Sequence, residues 1–271
     1  MIQFNKLFVV YDPTRQEQPA LERAADIARE NSASLYVFAC IYADTEKFAQ
    51  PSAEVARLIE EQREILAKIV EPLSAEGLKV SIDVEWDKDW YHAVVRASAK
   101  LAADMVLKSS FKHSAGKRLL NRTSDWTIMR ECLCPVFLVK DRAPRDVPRV
   151  LAAIDINAKK ESYERLNHKV IEVAGQILNL HRAEVHIVNA FSDFKGIPDR
   201  AELVRSSGIA SDRIHIKMGD PEKVIVAQAK ALDASLVVVG NSARSGVSAV
   251  LHGNTVEKML DKLECNVLSL P

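Results

Sequence analysis

The residues of this sequence best suited to chemistry form a glycine-containing loop in the second half of the chain, which begins at Gly240-Asn241. Gly240 and Gly246 let the backbone approach an anion without a Cβ in the way, and Arg244 offers a charge-assisted contact. Gly253-Asn254-Thr255 then opens a helix, whose free N–H groups and positive dipole end favour phosphate. This pattern predicts a phosphate cradle.

The loop differs from two common nucleotide-binding motifs. No Gly-Lys-Ser or Gly-Lys-Thr follows Gly240, so the loop is not a P-loop. No Gly-x-Gly-x-x-Gly stands at the end of a first strand, which argues against a Rossmann cofactor site. The alternative interpretation is that Gly240 and Gly253 serve only turns and helix caps. Both interpretations stay open.

The sequence does not assign a catalytic residue. Neither order nor spacing identifies a Ser-His-Asp triad or a pair of carboxylates. His113 and His252 lie near the two equivalent loops but lack partners at metal-binding spacing, so we predict no metal site. Asp155 and Asp220 are able to hold a metal on bound phosphates, but no general base accompanies them. Binding is therefore predicted rather than turnover.

Strands and helices alternate along the whole chain. Short apolar runs bounded by turn residues predict five strands in each half. The predicted strands are 6–11, 34–42, 79–86, 104–108 and 135–139, then 150–154, 184–189, 213–217, 235–239 and 266–270. Such alternation is typical of α/β domains, and we expect each half to be a five-stranded, mainly parallel, doubly wound sheet.

The predicted sheets indicate where the chemistry belongs. In open α/β sheets, ligands bind beyond the carboxyl ends of the strands, where the strand order reverses. In the second half, Asp155 follows the first strand, Asn189-Ala190 the second, Gly219 the third and Gly240 the fourth. We expect these residues and the loop after Gly240 to form one ligand site.

The two halves repeat each other. Asp12 and Asp155 end matching strands 143 residues apart, whereas the matching Cys134 and Cys265 are 131 apart, so the second copy is shorter. The long helix predicted at 54–75 has shrunk to 199–207. A period this long indicates duplicated domains. We predict domains at 1–141 and 148–271, joined by a charged linker with prolines.

The first copy has lost its glycine loop. The segment from Ser109 to Lys112 stands where the second copy has Gly240 to Ala243, and it holds no glycine. Asp12 persists after its strand, but an aspartate before proline is also a good turn and helix-start residue, which is the interpretation we favour. The first domain is therefore predicted not to bind ATP through this loop.

Composition narrows the class of protein. The 271 residues carry a formal net charge of zero, so no global field favours nucleic acid or an anionic membrane. The sequence has no apolar run of about 18 residues and no apparent leader, so we expect no membrane insertion and a cytoplasmic protein. Cys132, Cys134 and Cys265 lie near strand ends and are expected to be buried thiols.

The whole chain resembles the tandem universal stress proteins, most closely their E type. The likeness is carried by five motifs. They are 123–126 (Thr-Ser-Asp-Trp), 134–136 (Cys-Pro-Val), 219–221 (Gly-Asp-Pro), 244–249 (Arg-Ser-Gly-Val-Ser-Ala) and 253–255 (Gly-Asn-Thr). In the family's nucleotide motif, two residues separate the first glycine from the second, and nine more precede a third glycine that Ser or Thr follows. This chain has Gly240, then Ala243 in place of the second glycine, then Gly253, with Asn254 in place of the hydroxyl residue and Thr255 next to it.

The resemblance carries expectations for fold and ligand. It implies domains of the adenine nucleotide alpha hydrolase type, which pair through their final strands into an intramolecular pseudo-dimer, and a further homodimer is compatible with this. It also implies that Asp155 meets adenine and that the motif loop holds ribose and phosphates. The cofactor would be ATP or another adenine nucleotide with magnesium, or there would be none.

Three functions fit these observations. The first is a stress-response protein that binds a small phosphate-bearing ligand without catalysis and signals to a protein partner that the sequence does not identify. The second is a slow ATPase or an autophosphorylating enzyme. The third is a carrier of a non-adenine ligand with an apolar part, which would enter where the shortened helix leaves the sheet less covered.

Overall fold

The chain forms two compact units. Its computed structural model describes residues 4–44, 50–111, 118–140, 147–157, 160–181, 183–192, 197–241 and 259–271. Within these ranges, contacts group 4–111 with 131–140 as a first unit, and 118–130 with 147–271 as a second unit. The predicted boundaries at 1–141 and 148–271 describe the sequence repeats and remain a prediction.

The first unit is a parallel sheet with helices between its strands. Its elements are β1 (Lys6–Tyr11), α1 (Pro19–Asn31), β2 (Ser34–Ile41), α2 (Pro51–Ala75), β3 (Val80–Trp86), α3 (Trp90–Leu101), β4 (Met105–Ser109) and β5 (Val136–Val139). The strand order is β3-β2-β1-β4-β5, and the described pairs are parallel. The order reverses between β1 and β4.

The second unit repeats this sheet. Its elements are α4 (Arg118–Glu131, of which 118–130 belong here), β6 (Arg149–Ile154), α5 (Glu161–His181), β7 (Glu184–Phe191), α6 (Arg200–Ser207), a 3-10 turn (Ser211–Arg213), β8 (Ile214–Met218), α7 (Pro221–Ala231), β9 (Leu236–Gly240) and β10 (Asn266–Leu270). The order is β8-β7-β6-β9-β10, again parallel. The predicted α/β fold with two five-stranded sheets is confirmed.

The central strands form because they are apolar on both faces. Leu7, Phe8 and Val9 in β1 are completely buried, and so are Val237 and Val238 in β9. Helices cover both sides of a doubly wound sheet, so a central strand needs apolar side chains at consecutive positions rather than at alternate ones.

Backbone hydrogen bonds identify equivalent residues in the two units. Two bonds recur with nearly the same length at the carboxyl ends of the strands. The N–H of Ser110 donates to Val139 and that of Asn241 to Leu270, both at 2.8 Å, while Asp87 donates to Ile41 at 3.1 Å and Gly219 to Phe191 at 2.9 Å. Gly240 is therefore the counterpart of Ser109.

The two units differ in their helices. The second helix has 25 residues in the first unit (α2) and eight in the second (α6), which confirms the predicted shortening. The first helix has instead grown, from 13 residues in α1 to 21 in α5, which the sequence comparison did not predict. The difference in length between the repeats is the net result of these two opposite changes.

Helix α4 belongs by its contacts to the second unit, although the sequence repeat assigns it to the first. Ile128 and Met129 in its last turns are buried. The side chain of Asn241 donates a hydrogen bond of 2.8 Å to the backbone oxygen of Met129.

Cysteine burial and membrane-spanning helices are the two features on which composition gave expectations. Cys132 and Cys265 are buried as predicted, but Cys134 is only half-buried, because it lies in the turn before β5 rather than in the strand. In the described part of the chain, no helix is both long and apolar enough to cross a membrane.

Candidate functional site

The predicted site residues that the structure describes meet at one edge of the second unit. Asp155 directly follows β6, and Gly240 ends β9, the two strands between which the order reverses. The strand register pairs Ala153 with Val239 on one side and Ile154 with Asn189 on the other. Asp155, Asn189, Gly240 and Asn241 are therefore neighbours at the carboxyl edge. Ala190 follows Asn189 in β7, and Gly219 lies one strand further out, after β8.

Six predicted site residues lie outside the described residues. They are Ala243, Arg244, Gly246, Gly253, Asn254 and Thr255. His113 and His252 lie outside them as well. The phosphate-cradle half of the candidate site therefore remains a prediction.

Asp155 presents an exposed carboxylate on a fixed backbone. Its backbone N–H donates to Oδ1 of Asn167 at 3.1 Å, and its backbone oxygen accepts from Nδ2 of the same amide at 2.6 Å. The N–H of Asn157 donates to Oδ1 of Asp155 at 3.2 Å, a contact typical of an Asx turn. Asn167 of α5 thus holds the Asp155 backbone, which leaves the second carboxylate oxygen at the edge.

Asn189 holds the backbone at the carboxyl edge of the sheet in place. Its side chain is fully buried, Oδ1 accepts the N–H of Ile156 at 2.9 Å, and Nδ2 donates to the backbone oxygen of Ala190 at 3.1 Å. A buried amide with both ends bonded shapes the turn after β6. Asn189 is therefore a positioning residue, and Ala190 contributes backbone to the same arrangement.

Gly240 makes room for helix α5. A Cβ at this position would lie 2.6 Å from Cδ2 and 3.1 Å from Cδ1 of Leu166, and closer still to its Cγ. Real Cβ atoms do not approach carbon so closely, so any larger residue would displace the leucine. Close helix packing is thus a third reason for this glycine, beside the phosphate cradle and the turn.

Gly219 is required by its backbone conformation. Its φ is +145°, a region that residues with a Cβ rarely adopt. The next residue, Asp220, is the N-cap of α7, and its Oδ1 accepts the N–H of Glu222 at 3.0 Å. These contacts serve the start of α7.

Asn241 begins the candidate loop and is almost fully buried. Its backbone N–H donates to Leu270, and its side-chain amide donates to Met129 in α4. The first residue of the loop after β9 is therefore fixed on two sides, by β10 and by α4.

The same edge of the first unit is closed by its own side chains. The hydroxyl of Ser109, the counterpart of Gly240, accepts the N–H of Ala20 in α1 at 3.1 Å. Nε2 of Gln18 donates to the backbone oxygens of Asp12 at 2.7 Å and Arg15 at 2.9 Å, and its Oε1 accepts the N–H of Asp12 at 3.2 Å.

Asp12 serves its own loop. One carboxylate oxygen accepts both the N–H of Thr14 at 2.9 Å and its hydroxyl at 2.6 Å. This confirms the interpretation of Asp12 as a turn residue. The Ser109 hydroxyl, the Gln18 amide and one carboxylate oxygen of Asp12 thus bond within the first unit.

Two site residues were missed by the sequence analysis. Leu166 and Asn167 lie side by side in α5, where they contact Gly240 and Asp155. The available signal was weak: Asn167 is an amide on the inner side of an otherwise amphipathic helix. No group of three or more His, Cys, Asp or Glu residues able to hold a metal occurs among the described positions.

The fold and the edge define a class. A duplicated five-stranded α/β domain with an aspartate after its first strand and a glycine at the end of its fourth is the architecture expected of tandem universal stress proteins. The model of the universal stress protein family matches residues 3–140 and 171–271. This chain belongs to the universal stress protein family.

Individual relatives agree in length and fold. The chain is 28% identical to universal stress protein E of Photorhabdus laumondii, across 100% of this chain and 96% of the relative. It is 26% identical to universal stress protein E of Escherichia coli K12, across 99% and 94%. A crystal structure of a functionally unknown protein from Pseudomonas aeruginosa PAO1 is similar with a TM-score of 0.74 at 27% identity, covering 98% of this chain and 92% of that one.

Proposed function

We propose that this chain is a stress-response protein that binds a small ligand without catalysis. An adenine nucleotide or another phosphate-bearing molecule would occupy the edge between β6 and β9, and the first unit would bind none. The proposal includes the cytoplasm as its location, in keeping with the four cysteines, which all lie in the described ranges and are thiols.

The contrast between the two equivalent edges carries this proposal. In the first unit, the hydroxyl of Ser109 accepts a backbone N–H of α1, and Asp12 is only partly exposed. In the second unit, Gly240 replaces the serine and leaves no hydroxyl, and the carboxylate of Asp155 is exposed. A ligand's donor groups would find a free carboxylate oxygen there.

Calorimetric titration of the full-length protein with ATP and magnesium tests this proposal. One site per chain is expected. Asp155→Asn should weaken binding at least tenfold, since a hydrogen bond to a charged group contributes about 1.5 to 3 kcal/mol. Asp12→Asn is the matched control, because Asp12 is the equivalent residue, and it should leave the affinity unchanged. Two sites per chain, or equal effects of the two variants, would contradict the proposal.

Phosphate release measured in the same samples addresses the enzymatic alternative. A protein that only binds ATP should release phosphate from it no faster than ATP hydrolyses in buffer without protein. Release that saturates with ATP and is lost in Asp155→Asn would favour a slow ATPase.

A second candidate is a ligand with an apolar part. Helix α6 has only eight residues, and two apolar side chains of this unit are more than half exposed, Met218 at 55% and Ile197 at 52%. Met218 ends β8 at the position where the first unit has Trp86, which is only partly exposed. Native mass spectrometry of purified protein separates the candidates, because a bound mass that is not a nucleotide would favour this one.

A further inference from the structure

Two histidines of the second unit form a direct pair inside the fold. His186 of β7 and His215 of β8 approach with Nδ1 and Nε2 3.1 Å apart, and their rings stack at 5.3 Å between centroids. His186 is only 9% exposed, and its Nε2 has no hydrogen-bond partner among the described residues. His186 is therefore largely removed from water, and His215 is half-buried beside it.

The geometry leaves no favourable place for an added proton. A hydrogen bond between two imidazoles needs one nitrogen as donor and the other as acceptor. If Nδ1 of His186 donates to Nε2 of His215, the other ring nitrogen of His186, Nε2, carries a lone pair and no proton. Burying an unpaired lone pair costs less free energy than burying an unpaired N–H. An added proton must then either occupy the accepting Nε2 of His215 and break the bond, or create an unpaired N–H at Nε2 of His186. Each outcome is costly in a buried site.

Burial and the nearby cations also oppose protonation of the pair. Burial lowers the pKa of both histidines, and Arg213 lowers the pKa of His186 further, while each cation would repel the other. Arg149 (β6) also lowers the pKa of His186, and Lys217 (β8) and Arg200 (α6) lower that of His215. Two carboxylates act in the opposite direction: Glu184 (β7) raises the pKa of His186, and Asp212 (3-10 turn) raises the pKa of both. Helix α7 packs on β7 and carries Glu222, which pairs with Lys262, and the exposed Lys223 and Lys230.

The first unit holds a different pair at the equivalent positions. The hydroxyl of Tyr36 in β2 donates to Oδ2 of Asp83 in β3 at 2.7 Å. The register agrees, because Asp83 lies beside Phe38 as His215 lies beside Val188. A phenol remains a donor throughout the acid range, so this pair provides a comparison within the same chain.

We propose that the His186–His215 pair is an acid-sensitive switch that loosens β7 and β8 of the second unit. Below the ordinary histidine pKa of about 6.5, the unfolded segment takes up protons that the folded pair resists. Stability is therefore complete above that pH and is lost as the pH falls below it. Each histidine raises the opening equilibrium constant by up to about tenfold per pH unit.

The switch does not depend on which ligand the protein binds. It would nevertheless reach the candidate edge, because Asn189 lies three residues beyond His186 in β7 and Gly219 directly follows β8. Acid would thus act first on the two outer strands of the second sheet, β7 and its edge neighbour β8.

Hydrogen exchange with mass spectrometry on the full-length protein tests the proposal. Peptides from 184–191 and 214–218 report on the switch, and those from 34–41 and 80–86 on the comparison pair. EDTA removes any metal held by the imidazoles. Between pH 6.5 and 5.5, after correction for intrinsic exchange, protection should fall about 5- to 30-fold more in β7 and β8 than in β2 and β3. Equal losses in both units would overturn the switch.

Variants assign the effect to the pair. His215→Gln removes one titrating group and should reduce the extra loss to about fivefold or less. His168→Gln, at an exposed histidine of α5, is the matched control and should change nothing. NMR titration of the wild-type imidazoles needs no variant to fold. Two of the seven histidines should titrate below about 6.5, and normal titration of all seven would refute the proposal.

Discussion

Replacing Gly240 with alanine tests why the candidate loop begins with a glycine. The new methyl group would overlap the side chain of Leu166, which lies 2.6 Å away at Cδ2 and closer at Cγ. Because the overlap includes Cγ, rotation of the terminal methyl groups cannot relieve it. Leu166 must leave its rotamer, or α5 must move away from β9. Overpacking of this kind costs about 1 to 3 kcal/mol.

A second substitution shows whether the cost comes from this contact. Leu166→Ala removes the obstructing atoms and, because Leu166 is half-buried, should cost about 1 to 2 kcal/mol, below the range for a fully buried leucine. The double variant should then be more stable than the sum of the single effects by about 1 kcal/mol. Independent sites would add within about 0.5 kcal/mol.

Hydrogen exchange of the full-length protein is the suitable assay, since a chain with two units need not unfold in one step. Peptides covering 161–170 and 236–241 give the local free energy of opening. Additive effects of the two substitutions would refute the packing argument. If Gly240→Ala instead weakened ATP binding while α5 and β9 kept their protection, the glycine would serve the ligand.

Three further variants test contacts described above. Ser109→Ala should destabilise the first unit by about 1 to 3 kcal/mol, because it leaves a buried N–H of α1 without an acceptor, and hydrogen exchange of peptides covering 19–31 measures this. Burial and the bond to Asp83 raise the pKa of Tyr36, so its contribution to the stability of the first unit is complete below about pH 10 and is lost above it. Burial also raises the pKa of Tyr11 and of the Cys40 thiol, so Tyr36→Phe should reduce the alkaline loss in a circular dichroism titration without abolishing it. Asn241→Ala removes the donor to Met129 and should increase exchange in 125–130 about fivefold, consistent with about 1 kcal/mol, whereas unchanged exchange would show that this bond does not hold α4.

The strands could be predicted because their signal is local. Each buried strand is a short apolar run bounded by turn residues, and the structure places all ten within one or two residues of the predicted ends. The turn at Asp12 and the short helix after Asp199 were likewise contained in a few consecutive residues. Asp199 caps that helix by accepting the N–H of Ala201 at 2.8 Å.

The details of the candidate site could not be predicted in the same way. Leu166 contacts Gly240, and Asn189 holds the N–H of Ile156, across distances along the chain that no local pattern encodes. The sequence suggested Asn189 as a ligand contact because it ends a strand at the correct edge. Its burial gives it a supporting role, which depends on the turn that packs over it.

The grouping of α4 with the second unit has a consequence for synthesis of the chain. The acceptor on Met129 leaves the ribosome 112 residues before its donor on Asn241. Until Asn241 has been synthesised, the buried face of α4 has no lasting contact with the rest of the second unit. The first repeat therefore cannot complete its native contacts before the second repeat has been synthesised. Helix α4 reaches its final packing only after that.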